Sequence, residues 1–415
     1  MKIALFSETY VPAVNGVATH VDLLKKGLQK LGHEVLVVCA QSGLCKHILE
    51  DGVLYCPAAQ FKKIYNSVVA VPISPIRYKY IKNFNPDIIH IHTEFGIGYS
   101  GFSASQFLKV PLIYTMHTMY DNYIYYVAPK KFSNIVKRTA HVYAKILAQK
   151  AACVTGPSKK VEEFFRNCGV NKPIYIVPNP VELDVFNYAN FSELENSNLR
   201  KKLNIKPNEL LICFCGRLGR EKSVDVLLKL WSEAISADDG YKLLILGDGP
   251  CMNDLKAYCA KLNLQNKVIF AGEIPHKAVA PYYAACDAYV TTSLSDTNSI
   301  SMLEAMASGL PVFHLFDELN KNQIENGVNG YFFKNSSEMK QLFENYRALN
   351  QSSRIAFKER VRSSVLKFGD LALASKLLKI YEKAFEVNRT ESGVENRFGS
   401  KFHFNLKRTR KRSRV

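Results

Sequence analysis

KIALFSETYVPAVNGVATHVDLLKKGLQKLGHEVLVVCA, residues 2–40, reads as strand, loop, helix and strand in one short span. KIALFS is a brief apolar run, and ETYVPAVNG carries the proline, asparagine and glycine of a loop. Val17, Val21, Leu24, Leu28 and Leu31 then recur at helical spacing, and HEVLVVCA is the next strand. Further on, PDIIHIH and VPLIYTMH are buried-strand patterns that stop in polar loops. This alternation predicts an α/β fold, a parallel sheet covered by helices.

The pattern restarts after residue 200. ELLICFC, YKLLILG, NKVIFAG, DAYVTTS and LPVFHLF are short apolar strands separated by helical stretches such as Ser223 to Ile235. Two successive Rossmann-like, doubly wound domains follow, 1–180 and 181–370, joined near PNPVELDVFNYANFSELENS. Residues 371–386 are expected to form a helix packing back toward the first domain. Residues 387–415 lose apolar periodicity and are expected to be a basic, disordered tail. In such sheets ligands bind at the carboxyl ends of the strands, so two facing domains would enclose a cleft.

Size and composition agree with this division. At 415 residues the chain is too long for one compact core, and 47% hydrophobic with 22% charged residues is a globular composition. No apolar run of about eighteen residues predicts a membrane span, and MKIALFSETY lacks a signal-peptide pattern. A cytoplasmic location is therefore expected. The ten cysteines are scattered without metal-site spacing, which argues against zinc and against a disulfide framework. Charge is unevenly spread. Residues 1–180 hold 21 lysines and arginines against 10 acids, residues 181–400 are balanced, and KFHFNLKRTRKRSRV adds seven basic residues. An excess confined to one half and a tail suggests a surface facing an anionic membrane or nucleic acid. No recognisable nucleic-acid fold accompanies it, so no nucleic-acid partner is expected.

Several loops carry candidate chemistry. GRLGREK places Arg217 and Lys222 at a strand's carboxyl edge, where a guanidinium and an ammonium suit a diphosphate; the alternative is a solvated basic loop. LGDGP is a second glycine turn. In AVNGVATHV, Asn15-Gly16 precedes a helix, as an anion-binding start or as a plain cap. His117 ends an apolar strand and faces the expected cleft, ahead of His90 and His92 as a candidate. In SDTNSISMLEAM, Ser301-x-x-Glu304 fits a capping box with Asp296 as a turn residue. Equally, N–H groups near Asn298, Ser299, Ile300 and Ser301 could face a phosphate. Glu304 would then accept from a ribose diol and Asp296 from sugar hydroxyls. The loop alone leaves both open.

In order, GRLGREK, LGDGP, SDTNSISMLEAMASGLPV and NGVNGYFF resemble retaining glycosyltransferases of the GT-B fold, specifically glycosyltransferase family four. The resemblance covers nearly all of residues 1–385. It implies a nucleotide-diphosphate sugar donor held on the second domain, retention of anomeric configuration, and no metal or other cofactor. By the same resemblance Arg217 and Lys222 clamp the diphosphate, Glu304 accepts the ribose, Gly16 lies near the phosphates and His117 near the transferred sugar. The chain departs from the family pattern with Asp296 for glutamate, Ser299 for glycine and Asn15 for the first of two glycines.

HTEFGIG and YTMHTMYDNYIYYV are similar to bacterial 1,2-diacylglycerol 3-alpha-glucosyltransferases, which implies UDP-glucose as donor, diacylglycerol as acceptor and a monotopic membrane position. In APKKFSNIVKRTAHVYAKILAQK, Phe132, Ile135, Val136, Thr139, Tyr143, Ile146 and Leu147 form a helical stripe among Lys130, Lys131, Lys137, Arg138 and Lys145. Such a helix suits an anionic membrane surface, with Lys130, Lys131, Phe132, Lys137 and Arg138 as contacts, or else packs on its own domain. A polysaccharide, polyprenyl-linked or phosphatidylinositol acceptor, and a non-catalytic binding protein, remain alternatives.

Overall fold

The computed structural model describes residues 1–13, 15–61, 67–119, 121, 125, 130–236 and 239–392. Its first sheet contains β1 (Lys2–Ser7), β2 (Glu34–Ser42), β3 (Ile48–Glu50), β4 (Val53–Phe61), β5 (Ser67–Ala70), β6 (Ile88–Ile91), β7 (Leu112–Thr115), β8 (Cys153–Gly156) and β9 (Ile174–Ile176). Among the described residues the order is β3-β4-β2-β1-β6-β7-β8-β9, with β5 added to β4. Pairing is parallel except where β3 and β5 run antiparallel to β4. Ile3 and Leu5 enter one core cluster while Ala4 and Phe6 enter another, so β1 is buried on both faces. That is why its sequence is a continuous apolar run. Helices α1 (Gly16–Lys30), α2 (Pro75–Phe84), α3 (Gly96–Leu108), α4 (Ser133–Lys150) and α5 (Lys159–Asn167) accompany this sheet.

The second sheet contains β10 (Leu210–Cys215), β11 (Tyr241–Leu246), β12 (Val268–Gly272), β13 (Ala288–Thr291), β14 (Val312–Leu315) and β15 (Gly330–Phe333). Its order is β12-β11-β10-β13-β14-β15, parallel throughout. With it come α6 (Glu193–Lys202), α7 (Val224–Ala234), α8 (Met252–Lys261), α9 (Ala280–Ala285), α10 (Ile300–Ala307), α11 (Ser336–Ala348) and α12 (Gln351–Val365). In both sheets strand order reverses beside the first strand, at β1/β6 and at β10/β13. In doubly wound sheets loops diverge at such a reversal, and ligands bind in the crevice there.

The last helix, α13 (Asp370–Ser392), returns to the first domain. Leu373, Ala374, Leu377, Ile380, Tyr381 and Ala384 join Val21, Leu24 and Leu28 of α1 in one core. Gly27 permits the contact, because a Cβ there would lie 2.3 Å from the Asp370 carbonyl oxygen. The outgoing and returning chains run side by side, the Val181 N–H donating to the Phe368 carbonyl at 2.9 Å. The expected helix end at 386 is corrected: helix continues to Ser392, since a docked helix extends into solvent without an apolar face. Residues 393–415, which make up the rest of the expected basic tail, lie outside the described residues, as does the Lys130 side chain. Among the described residues no helix is long and apolar enough to cross a membrane.

Candidate active site

β10 ends at Cys215, and the next residues are held by the turn after β11. Gly247, at φ +131°, has no room for a side chain, since a Cβ would stand 2.1 Å from the Gly216 carbonyl oxygen. Leu218 donates to the Asp248 carbonyl at 2.9 Å and accepts from the Cys251 N–H at 2.9 Å. The LGDGP turn therefore buttresses the GRLGREK loop. That loop carries Arg217, whose guanidinium meets Glu221, and Lys222, whose Nζ lies 2.5 Å from Asp296 Oδ1. Burial pushes the Asp296 carboxyl up, but the Lys222 ammonium, helped by Ser293 and His314, outweighs it and leaves the group below its ordinary value. Glu221 Oε2 also accepts from the Tyr125 hydroxyl of the first domain at 2.8 Å.

The second half of the site is the start of α10. Ser299 is its N-cap, accepting from the Met302 N–H at 3.4 Å, and Ser301 lies inside the helix. The capping box expected as one alternative does not form. With the cap at Ser299, Glu304 sits more than a turn inside, its Oε1 2.5 Å from His276 Nε2. Burial raises the Glu304 pKa, and contact with His276 opposes part of that rise. Burial lowers the His276 pKa, and Glu304 more than compensates, leaving it raised. His276 escaped the sequence reading because EIPHKAV has no pattern beyond a turn.

Across the crevice, Asn15 caps α1, its side chain accepting from the Ala18 N–H at 3.0 Å. The plain-cap alternative is therefore realised, and the helix start still faces the second domain: a Cβ on Gly16 would lie 3.4 Å from Ile300 Cδ1. Two helix N-termini, each with N–H groups that favour anions, meet at this point. Asn298 is turned to the interdomain linker, accepting from the Asn179 N–H at 2.8 Å while its carbonyl accepts from Asn179 Nδ2 at 2.7 Å. The His117 carbonyl accepts from Thr297 Oγ1 at 3.2 Å, and its Nε2 lies 3.0 Å from His92 Nδ1. Burial holds His117 well below the ordinary histidine value, so its ring is neutral. His90 is structural, bound to Tyr381 at 2.8 Å and Thr115 at 2.6 Å.

The structure thus brings Lys222, Asp296, Ser299, Ile300 and Gly16 to one crevice, with Arg217 on the same loop and Glu304 on α10. Of the residues that join the two domains here, Asn179 and Lys160 came from no motif, and Tyr125 lies within YTMHTMYDNYIYYV without having been singled out.

The stripe on α4 divides. Of its residues Leu147 is buried, Val136 and Tyr143 are half-buried, and Phe132, Ile135, Thr139 and Ile146 are exposed, as is Val142; Ala144 and Ala148 pack inward beside Leu147. Lys131, Lys137 and Arg138 are exposed as well, and Lys137 pairs with Asp121 at 2.8 Å.

Residues 14–185 match the family described as Glycosyltransferase Family 4, and residues 195–362 match that described as Glycosyl transferases group 1. The alpha-monoglucosyldiacylglycerol synthase of Streptococcus pneumoniae is 30% identical over 318 residues, 75% of this chain and 70% of that protein. The synthase of the same name from Acholeplasma laidlawii is 28% identical over 348 residues, 82% of this chain and 86% of that protein. Anabaena HepE, solved in complex with UDP and glucose, superposes with a TM-score of 0.70 at 19% identity, over 92% of this chain and 99% of that one. Matched on both halves and across both sheets, the chain belongs to the group 1, family 4 glycosyltransferases of the GT-B fold.

Proposed function

We propose that this glycosyltransferase moves glucose from UDP-glucose to diacylglycerol at the cytoplasmic face of a membrane, with retention, forming a monoglucosyl glycolipid. The observation that carries the reading is the convergence of Lys222, Asp296 and the N-terminus of α10 opposite the N-terminus of α1. Diphosphate oxygens would sit between the two helix starts, with Arg217 and Lys222 taking up the charge that grows on departing UDP. Glu304 would accept from the ribose diol, and Asp296 and His117 would contact the transferred sugar. The acceptor oxygen would enter on the face the diphosphate leaves, with a diphosphate oxygen taking its proton. Catalysis would then rest on positioning and electrostatic stabilisation. With Arg217 and Lys222 proposed to balance the leaving group's charge, transfer is proposed to need no metal.

The lipid acceptor is supported by the two synthase relatives and by the exposed apolar face of α4 bordered by Lys131 and Arg138. An interfacial helix needs that combination. The test is transfer from labelled UDP-glucose to diacylglycerol in anionic vesicles, with and without EDTA. Labelled glycolipid in both arms is expected. Transfer only to soluble sugars would remove the lipid acceptor, and transfer only from another nucleotide sugar would remove UDP-glucose.

A further inference from the structure

Three imidazoles meet below the start of α1. The His20 and His117 rings stand edge to face at 4.5 Å, His20 and His92 lie 5.4 Å apart, and His92 Nδ1 lies 3.0 Å from His117 Nε2. His20 is one turn beyond Gly16 and 1% exposed. Its Nδ1 lies 3.0 Å from Asn179 Oδ1. The Asn179 amide nitrogen donates to the Asn298 carbonyl, so its oxygen must be the acceptor and His20 Nδ1 must carry the hydrogen. His20 Nε2 is then a bare lone pair, buried and without a hydrogen-bond partner among the described residues; His92 Nε2 has none either. A buried acceptor of this kind is costly unless a ligand supplies the donor.

We propose that His20 Nε2 accepts a hydrogen bond from a substrate hydroxyl in the crevice, and that the chain Asn298–Asn179–His20 fixes the tautomer that leaves it open. The chain begins in the donor loop of the second domain and ends on a helix of the first. The tautomer is therefore set by a run of contacts that spans the two domains. This rests on the reading of the crevice as a nucleotide-sugar site. Hydroxyl chemistry has two sources there, the transferred sugar and the accepting alcohol. A divalent ion is the competing occupant, since ligating atoms of the three histidines lie within 4.8 Å of one another. The His92–His117 hydrogen bond already engages one of those lone pairs, which favours a hydroxyl over a metal.

The experiment compares UDP-glucose with its monodeoxy analogues in wild type, His20→Phe and His20→Gln, using the full chain and diacylglycerol vesicles. In wild type one deoxy donor should lose about 10- to 100-fold in kcat/KM. His20→Phe should lose a similar factor on UDP-glucose and become indifferent to that hydroxyl. His20→Gln, whose amide oxygen reaches toward the Nε2 position, should recover part of it. UDP affinity by calorimetry should change little, which separates the effect from misfolding. If all deoxy donors behave alike but His20→Phe raises the KM for diacylglycerol, the hydroxyl belongs to the acceptor. Deoxy discrimination and acceptor KM both unchanged in His20→Phe would overturn the proposal. So would stoichiometric Zn²⁺ binding to wild type that His20→Phe abolishes, without hydroxyl discrimination. Failure of wild type to bind UDP or to transfer any sugar would remove the underlying reading first, before any substitution.

Discussion

Lys160 Nζ, on α5 of the first domain, lies 2.5 Å from Asp317 Oδ2, beyond β14 of the second, and each side chain is only 7% exposed. The same ammonium reaches the carbonyls of Leu294 at 2.5 Å and Asp296 at 3.3 Å. One buried cation thus ties the domains together and holds the loop that presents Asp296.

Removing one member of this pair leaves the other charge buried and unpaired. Lys160→Met should cost about 3–5 kcal/mol of unfolding free energy, and the double change Lys160→Met/Asp317→Leu should return most of it. Urea denaturation measures both. The double variant should still show reduced kcat/KM, because the carbonyls of Leu294 and Asp296 have lost their donor. Equal stability of the single and double variants would contradict a buried ion pair.

Lys222 controls Asp296. With the ammonium present, the depressed carboxyl adds stability above the ordinary carboxylate range that is lost as pH falls through its folded value. In Lys222→Met burial is opposed only by the Ser293 hydrogen bond and by His314, so the carboxyl should rise relative to wild type. That variant should therefore lose less stability than wild type as pH falls through the acidic range, because less of the depressed carboxyl's contribution is left to lose. Thermal melts across that range give the sign. Loss of the cation should also lower kcat by about 100-fold or more.

His276 restrains the upward shift of Glu304. If the ionised carboxylate accepts the ribose diol, UDP affinity should weaken as pH falls, and His276→Phe should move that loss to higher pH. Calorimetric titration of UDP between about pH 5 and 8 tests this. Glu304→Gln should bind more weakly, by about tenfold, with a flatter profile.

The α4 face offers a prediction independent of catalysis. Ile135, Val142 and Ile146 are 64%, 52% and 45% exposed, so changing all three to serine should leave the melting temperature unchanged. Sedimentation with vesicles rich in anionic lipid should fall sharply. Arg138→Ala should cost about fivefold in vesicle affinity at low salt. Lys137→Ala should cost less, because Asp121 already offsets its charge. Unchanged sedimentation of the triple variant would move the membrane contact elsewhere.

The central strands were legible because they are buried on both faces: KIALFS, PDIIHIH, LLICFC and LPVFHLF each contain an observed strand. Two strands of the first sheet were not: β3 is exposed along its length, and β5 offers only Val68, Val69 and Ala70 as an apolar stretch. Arg217, Lys222 and Glu304 could be placed on strand ends and a helix because they sit at fixed offsets from readable elements. The cap of α10 needed coordinates, since Ser299 and Ser301 are equally good capping residues and only backbone geometry separates them. His20, Lys160 and Asn179 were silent for another reason: their partners lie more than one hundred residues away. A long-range polar pair leaves no local periodicity.

The side-by-side crossings near Val181 and Phe368 constrain how the lobes can move. A single tether would let one lobe swivel against the other in any direction. Two neighbouring tethers behave like the spine of a book, permitting the covers to open and shut about one line while resisting torsion. Substrate would enter as the covers part and be enclosed as they meet, each time with the same edges in register.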